Sequence, residues 1–154
     1  MNDQTISRDY ANDIIFELEK AFWDERGKGA RFRVTTVGND FFRTKCLPRL
    51  QSVEIDGIVQ AIERALQEEG IVKRVSVEID GRLLRVRIEG CAHRSVEDRL
   101  VAHGTKPFTC VPANLIVLAI EEKLDRPVEL AEIKLEDGAC QVLLVLFEQR
   151  PVLG

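Results

Sequence analysis

Two stretches of the chain, 52–90 and 110–148, read alike: a helix, a strand, an Asp-Gly pair and a returning strand. In the first, "SVEIDGIVQAIERALQEEG" brings Ile55, Ile58, Val59, Ile62 and Leu66 onto one helical face, with charges opposite and Gly70 as the stop. Val75, Val77 and Ile79 then alternate with polar residues, Asp80-Gly81 makes a favoured two-residue turn, and Leu84, Val86 and Ile88 alternate back. In the second, "VPANLIVLAIEEKL" is apolar on nearly every side as far as Glu121, as befits a helix buried in a core or a subunit interface. Asp125-Arg126-Pro127 closes it. The hairpin "PVELAEIKLE-DG-ACQVLLVLFE" follows, its register shifting near Ala131-Glu132 as a bulge would shift it. Its second strand, "VLLVLF", is apolar on both faces and so belongs at the centre of a sheet or between two layers. Together these units predict an α+β fold whose antiparallel four-stranded sheet is built from two hairpins and covered by helices.

Ahead of them, "SRDYANDIIFELEKAFWDERGKG" reads as an amphipathic helix capped by Ser7 and ended by Gly27 and Gly29, with Ile14, Ile15, Leu18, Ala21 and Phe22 on one stripe. "ARFRVTTVGNDFFRTKCLPRL" begins with an alternation that suggests a short strand and continues as irregular chain. The element order is therefore helix, helix, hairpin, helix, hairpin. Residues 1–154 form a single domain, in which 1–51 are a helical N-terminal extension of the unit at 52–148.

Composition narrows the function. With 22 basic and 26 acidic residues the net charge is −4, which removes the electrostatic case for nucleic acid. The N-terminus has no basic segment followed by an apolar run, and the longest apolar stretch is about half of the roughly 20 residues a membrane span requires. A cytoplasmic protein is expected, and with it four cysteines that are thiols, ligands or core residues rather than disulfides. Arg82, Arg85 and Arg87 lie on the polar side of the first hairpin. There they read as a solvated face with cross-strand partners such as Glu78, an anion site being the alternative.

Chemistry concentrates in "GCAHRSVEDRLVAHGTKPFTC", which holds both histidines and two of the four cysteines. Zinc takes four ligands and favours thiolate with imidazole. Cys91, Cys110 and Cys140 with His93, or with His103 as the alternative, make a candidate set, although no Cys-x-x-Cys pair is present. Cys91 ends the second strand and Cys140 begins the fourth. The two meet at one sheet edge only if those strands run antiparallel; parallel strands would separate them by roughly 20 Å at 3.3 Å per residue. Cys110 stands at the start of a helix, where the helix dipole favours a thiolate, and is the candidate for a redox switch or a thiol-dependent reaction. Alternatively the thiols are small hydrophobes in a core, as Cys140 would be beside Val142, Leu144 and Leu146. "SVEDRLVAHG" reads as a solvent-facing loop, a short helix being the alternative.

"HGTKPFTCVPANLIVLAIEEKLDRPVELAEIKLEDGACQVLLVLFE" resembles the 4-vinyl reductase domain family, which shares its fold group with the TRAPP vesicle-tethering subunits. The resemblance rests on Cys110 opening a small-residue-rich helix, on "DRPVEL", and on Cys140 after a tight turn. It implies a binding domain rather than an enzyme, with a small apolar or amphipathic ligand that includes tetrapyrrole-like molecules. It also implies cysteines that bind metal, in a structural or regulatory role, and a homodimer formed through helices. The rival expectation is a homo- or hetero-oligomeric scaffold without ligand; an exposed apolar patch would favour it, and an enclosed apolar cavity the binding module.

Overall fold

The computed structural model describes residues 5–27 and 37–148. The short strand suggested over the start of "ARFRVTTV", and Gly29 as a helix stop, lie outside the described residues. The first helix, α1 (Arg8–Arg26), begins where the Ser7 side chain accepts a hydrogen bond from the Tyr10 amide and ends at Gly27, which takes φ 57°. Asn39–Phe41 is a single helical turn (α2), continued by a π-helical turn at Phe42–Cys46 and a 3₁₀ turn at Leu47–Arg49. The remaining helices are α3 (Ile55–Glu68), α4 (Arg94–Ala102) and α5 (Val111–Leu124).

The two hairpins, β1 (Arg74–Asp80) with β2 (Leu83–Glu89) and β3 (Val128–Glu136) with β4 (Ala139–Leu146), join into one antiparallel sheet of order β1-β2-β4-β3. The expected α+β class and four-stranded sheet are thus present, and "VLLVLF" runs in a central strand. Cys140, Val142, Leu144 and Leu146 of β4 face inward and are buried, whereas Leu143 and Val145 on the other side are half-buried. The register shifts between Leu130 and Glu132, at the expected bulge.

One turn differs by a residue. Asp80 pairs with Leu83, so the first hairpin turns on Gly81-Arg82 rather than Asp80-Gly81. Gly81 takes φ 61° and Arg82 does not enter the positive region. That pattern belongs to a turn with glycine at its first central position, and it puts Val75, Val77 and Ile79 opposite Ile88, Val86 and Leu84. A turn on Asp80-Gly81 would keep the same faces, since the two pairings differ by two positions; the register found sets Ile79 opposite Leu84 rather than Arg82.

The core lies between the inner sheet face and helices α3 and α5. Ile58, Val59, Ile62 and Leu66 of α3 are buried there, with Leu115, Ile116 and Ile120 of α5. The face expected of α3 is the face it buries, apart from a half-buried Ile55. Around Leu83, Leu143 and Val145 the outer sheet face carries charged residues. Arg85 stands opposite Glu78 and 3.7 Å from Asp80, Arg87 bonds Glu89 and Glu136 at 3.2 Å each, and Arg82 meets Glu148 at 3.3 Å. These arginines therefore have the carboxylate partners expected of a solvated face.

Two local departures matter for the site. "SVEDRLVAHG" is helical, forming most of α4, because Val96, Glu97 and Leu100 recur at helical spacing and are buried. Helix α1 packs on α4 rather than on the sheet. Its buried residues are Asn12 and Phe16, with Ile15, Phe22 and Trp23 partly covered, so the expected stripe is rotated: Ile14 is 39% and Leu18 66% exposed. Asn12 secures this docking, donating to the Ala92 carbonyl at 2.9 Å and to Ser95 Oγ at 3.0 Å while its Oδ1 faces His93 Nδ1 at 3.1 Å. No helix among the described residues is long and apolar enough to cross a membrane.

Candidate functional site

Because β2 and β4 pair antiparallel, with Glu89 opposite Ala139, Cys91 and Cys140 emerge at the same end of the sheet. Gly90 turns the chain there with φ 66°, and α4 starts three residues after Cys91. Arg94 fastens that start by donating to the Ala139 carbonyl at 2.7 Å. The next segment returns Cys110 to the same place as the N-cap of α5. Topology thus assembles three cysteines that lie far apart in sequence.

Beside them, between α1, α4 and the N-terminus of α5, is a cavity of about 490 Å³. Its walls are mostly apolar: Ile15, Leu18 and Phe22 from α1, Val96 from α4, and Phe108 and Pro112 from the approach to α5. Phe108 is buried and packs against Phe22 and Trp23 with ring centroids 6.2 and 5.4 Å away. Leu18 and Val37 stand at the rim, which accounts for apolar side chains 66% and 46% exposed. Cys91, His93 and Cys110 also face the cavity, with two carboxylates, Glu19 and Glu97.

Glu97 is outside the candidate set that the sequence suggests, although it is the acidic residue at the centre of this site. It is 5% exposed and accepts a hydrogen bond from the Cys140 thiol at 3.1 Å. Burial lifts its pKa from 4.5 to about 7; the Cys140 bond and Arg94 pull the other way. Glu19 is likewise raised to about 7, by burial and then by repulsion from Glu97. One signal in the sequence points to Glu97: within "RSVEDRL", it falls on the face of Val96 and Leu100 once the segment is helical.

The thiols behave as buried groups. Burial pushes Cys91 up to about 11 and drives Cys110 well above its ordinary value. Cys140 is raised as well, by burial first and then by Glu97. For Cys110 this is the reverse of what a helix start would do to an accessible thiol, because desolvation of the thiolate outweighs the partial charge of the helix end. The remaining cysteine, Cys46, is fully buried between the π-helical turn and the core and is raised to about 11. Iodoacetamide at neutral pH is therefore expected to label none of the four cysteines within minutes, and all four in denaturant. Rapid native labelling of Cys110 would show an activated thiol and reverse this account.

The two histidines separate. His93 is half-buried at the cavity, its Nδ1 against Asn12, and burial followed by the Arg8 charge keeps it neutral to lower pH than usual. His103 caps the opposite end of α4, exposed, with its ring 5.2 Å from Phe16 and its Nδ1 on the Arg99 carbonyl. Nine helical residues, roughly 13 Å of rise, stand between them. Three thiols beside a carboxylate and His93 have the donor chemistry zinc takes. In this arrangement, among the described residues, no group of three or more His, Cys, Asp or Glu side chains is placed to share a metal ion.

No protein-family model matches the chain, and no curated protein matches it.

Proposed function

We propose that the protein is a non-catalytic binding module that holds an apolar or amphipathic small molecule between α1, α4 and the start of α5. The observation that carries this is the cavity of about 490 Å³ with mostly apolar walls, a size inside the ~300–1,000 Å³ range of small-molecule sites. Leu18, Phe22 and Val37 turn apolar surface towards that space. An occupant would bury that surface and gain roughly 25 cal/mol for each Å² removed from water. The resemblance of residues 52–148 to 4-vinyl reductase domains points to the same kind of function.

The test is a titration with Nile red, a neutral apolar dye, of the full chain and of Leu18→Trp. Leu18 is 66% exposed, so the larger ring enters the cavity mouth without disturbing the core. The dye is expected to brighten on binding the protein, and Leu18→Trp to weaken it about tenfold, some 1.4 kcal/mol, at unchanged thermal stability. Equal affinity of the two proteins would sink the assignment. Native mass spectrometry of freshly purified protein adds an independent reading. A retained organic molecule supports the module, whereas an excess of one zinc ion lost on chelation would reassign the thiols. Two chains per particle with no retained molecule would favour the scaffold alternative, for which Tyr10, Ile14 and Leu18, exposed at four-residue spacing on α1, supply the apolar surface.

A further inference from the structure

We infer that the cavity selects a cationic amphiphile: an ammonium head between Glu19 and Glu97, with its hydrocarbon tail along Phe22, Phe108 and Leu18. This rests on reading the cavity as a ligand site and adds to it the class of ligand.

The argument is one of unmatched charge. Two carboxylates from different helices face one apolar space, and among the described residues no lysine or arginine lines it. Glu19 has no hydrogen-bond or ion-pair partner among the described residues, although it is half-buried. Glu97 is nine-tenths buried, and the hydrogen bond it receives comes from a thiol, a weak donor. Arg94, one turn back on α4, acts on Glu97 through its charge but makes its hydrogen bonds elsewhere, to Asp98 at 2.9 Å and the Ala139 carbonyl at 2.7 Å. From α1, Arg8 acts on His93 and Cys91 rather than on the carboxylates. The other titratable groups around the pair are His93, Asp98 and the thiols of Cys91, Cys110 and Cys140. Arg94 therefore offsets part of the charge on Glu97, and no described cation hydrogen-bonds either carboxylate of the pair.

A ligand can supply it. An ammonium group has three donors and one charge, enough to bond both carboxylates at once, and in a water-poor cavity such charge-assisted bonds are stronger than on a surface. A neutral head leaves the pair uncompensated, and an anionic head adds a third like charge.

Trp23 is the one tryptophan of the chain and lies 5.4 Å from Phe108, so its emission reports occupancy. Three ten-carbon probes, decylamine, decanol and decanoate, share a tail and differ in the head. At mildly alkaline pH, decylamine is expected to bind at least about tenfold more tightly than decanol, and decanoate most weakly. Glu19→Gln and Glu97→Gln should each remove about tenfold of the decylamine affinity and leave decanol unchanged or tighter, which also shows the variants folded. Decanol or decanoate binding as tightly as decylamine would overturn the charge selection while leaving the ligand site standing. An equal loss for all three probes in both variants would also overturn it. Failure of every probe to bind the unaltered protein would sink the ligand site itself, and the inference with it.

Discussion

Raising the pH from 5 to 8 is expected to destabilise this protein by about 3 kcal/mol through Glu97 alone. Glu97 has a pKa near 7 when folded and an ordinary 4.5 when exposed, and each pH unit between those values is worth about 1.4 kcal/mol. Between them the folded state binds more protons than the unfolded state, so unfolding becomes easier as pH rises, and the loss is complete above the folded value. Glu19 acts in the same sense with a smaller effect, because it is only half-buried and solvent screens it. His93 opposes them: its folded value is lowered by burial, so its contribution is lost as pH falls below 6.5. The comparison that isolates the carboxylate is urea unfolding of the unaltered protein and of Glu97→Gln at both pH values. The variant should lose most of the pH dependence; parallel curves would show that Glu97 is ionised at little cost. Further loss is expected above pH 9, where unfolded thiols ionise while Cys91, Cys110 and Cys140 resist.

Phe108→Ala is expected to destabilise the fold by about 3–5 kcal/mol, the range for deleting a buried aromatic ring. Phe108 is 2% exposed and joins α1 to α4 through the cluster it forms with Phe16, Val96 and Leu100. It is also the wall against which Phe22 and Trp23 pack. Removing it should shift Trp23 emission to the red in the native state, before any denaturant is added, and widen the cavity towards solvent. Thermal unfolding with tryptophan emission measures both effects. A loss below about 1 kcal/mol would mean that α1 docks without this cluster and that the cavity lacks a fixed wall.

The sheet and its helices are readable because each element carries its own period. Val75-Val77-Ile79 and Leu84-Val86-Ile88 alternate by two, and Ile58-Val59-Ile62-Leu66 recur as a helix requires, so each declares which side it buries. Two departures share one cause. "RSVEDRLVA" has the pattern of exposed loop yet is helical, and the expected stripe of α1 packs through Ile15 and Phe22 but leaves Ile14 and Leu18 exposed, the buried face being centred on Asn12 and Phe16. In both segments the buried face includes polar residues whose partners come from other parts of the chain. Asn12 is buried because Ala92, His93 and Ser95 complete its hydrogen bonds, and Glu97 because Cys140 donates to it.

For the site, the sequence determined which residues have chemistry to offer: Cys91, His93, Cys110 and Cys140 stand out by type, and all lie at or beside the cavity. It also determined that Cys140 starts a strand and that Cys110 opens a helix, since those follow from local pattern. Only the tertiary structure decided that β2 and β4 run antiparallel, which brings Cys91 and Cys140 to one end of the sheet. It alone separated His103 from the group and set Glu97 and Glu19 in its place. The reason is that strand direction and burial depend on contacts between distant segments. Burial in turn sets the cost of charge, so the same glutamate that would be an ordinary acid on an exposed helix titrates near neutrality inside this cavity.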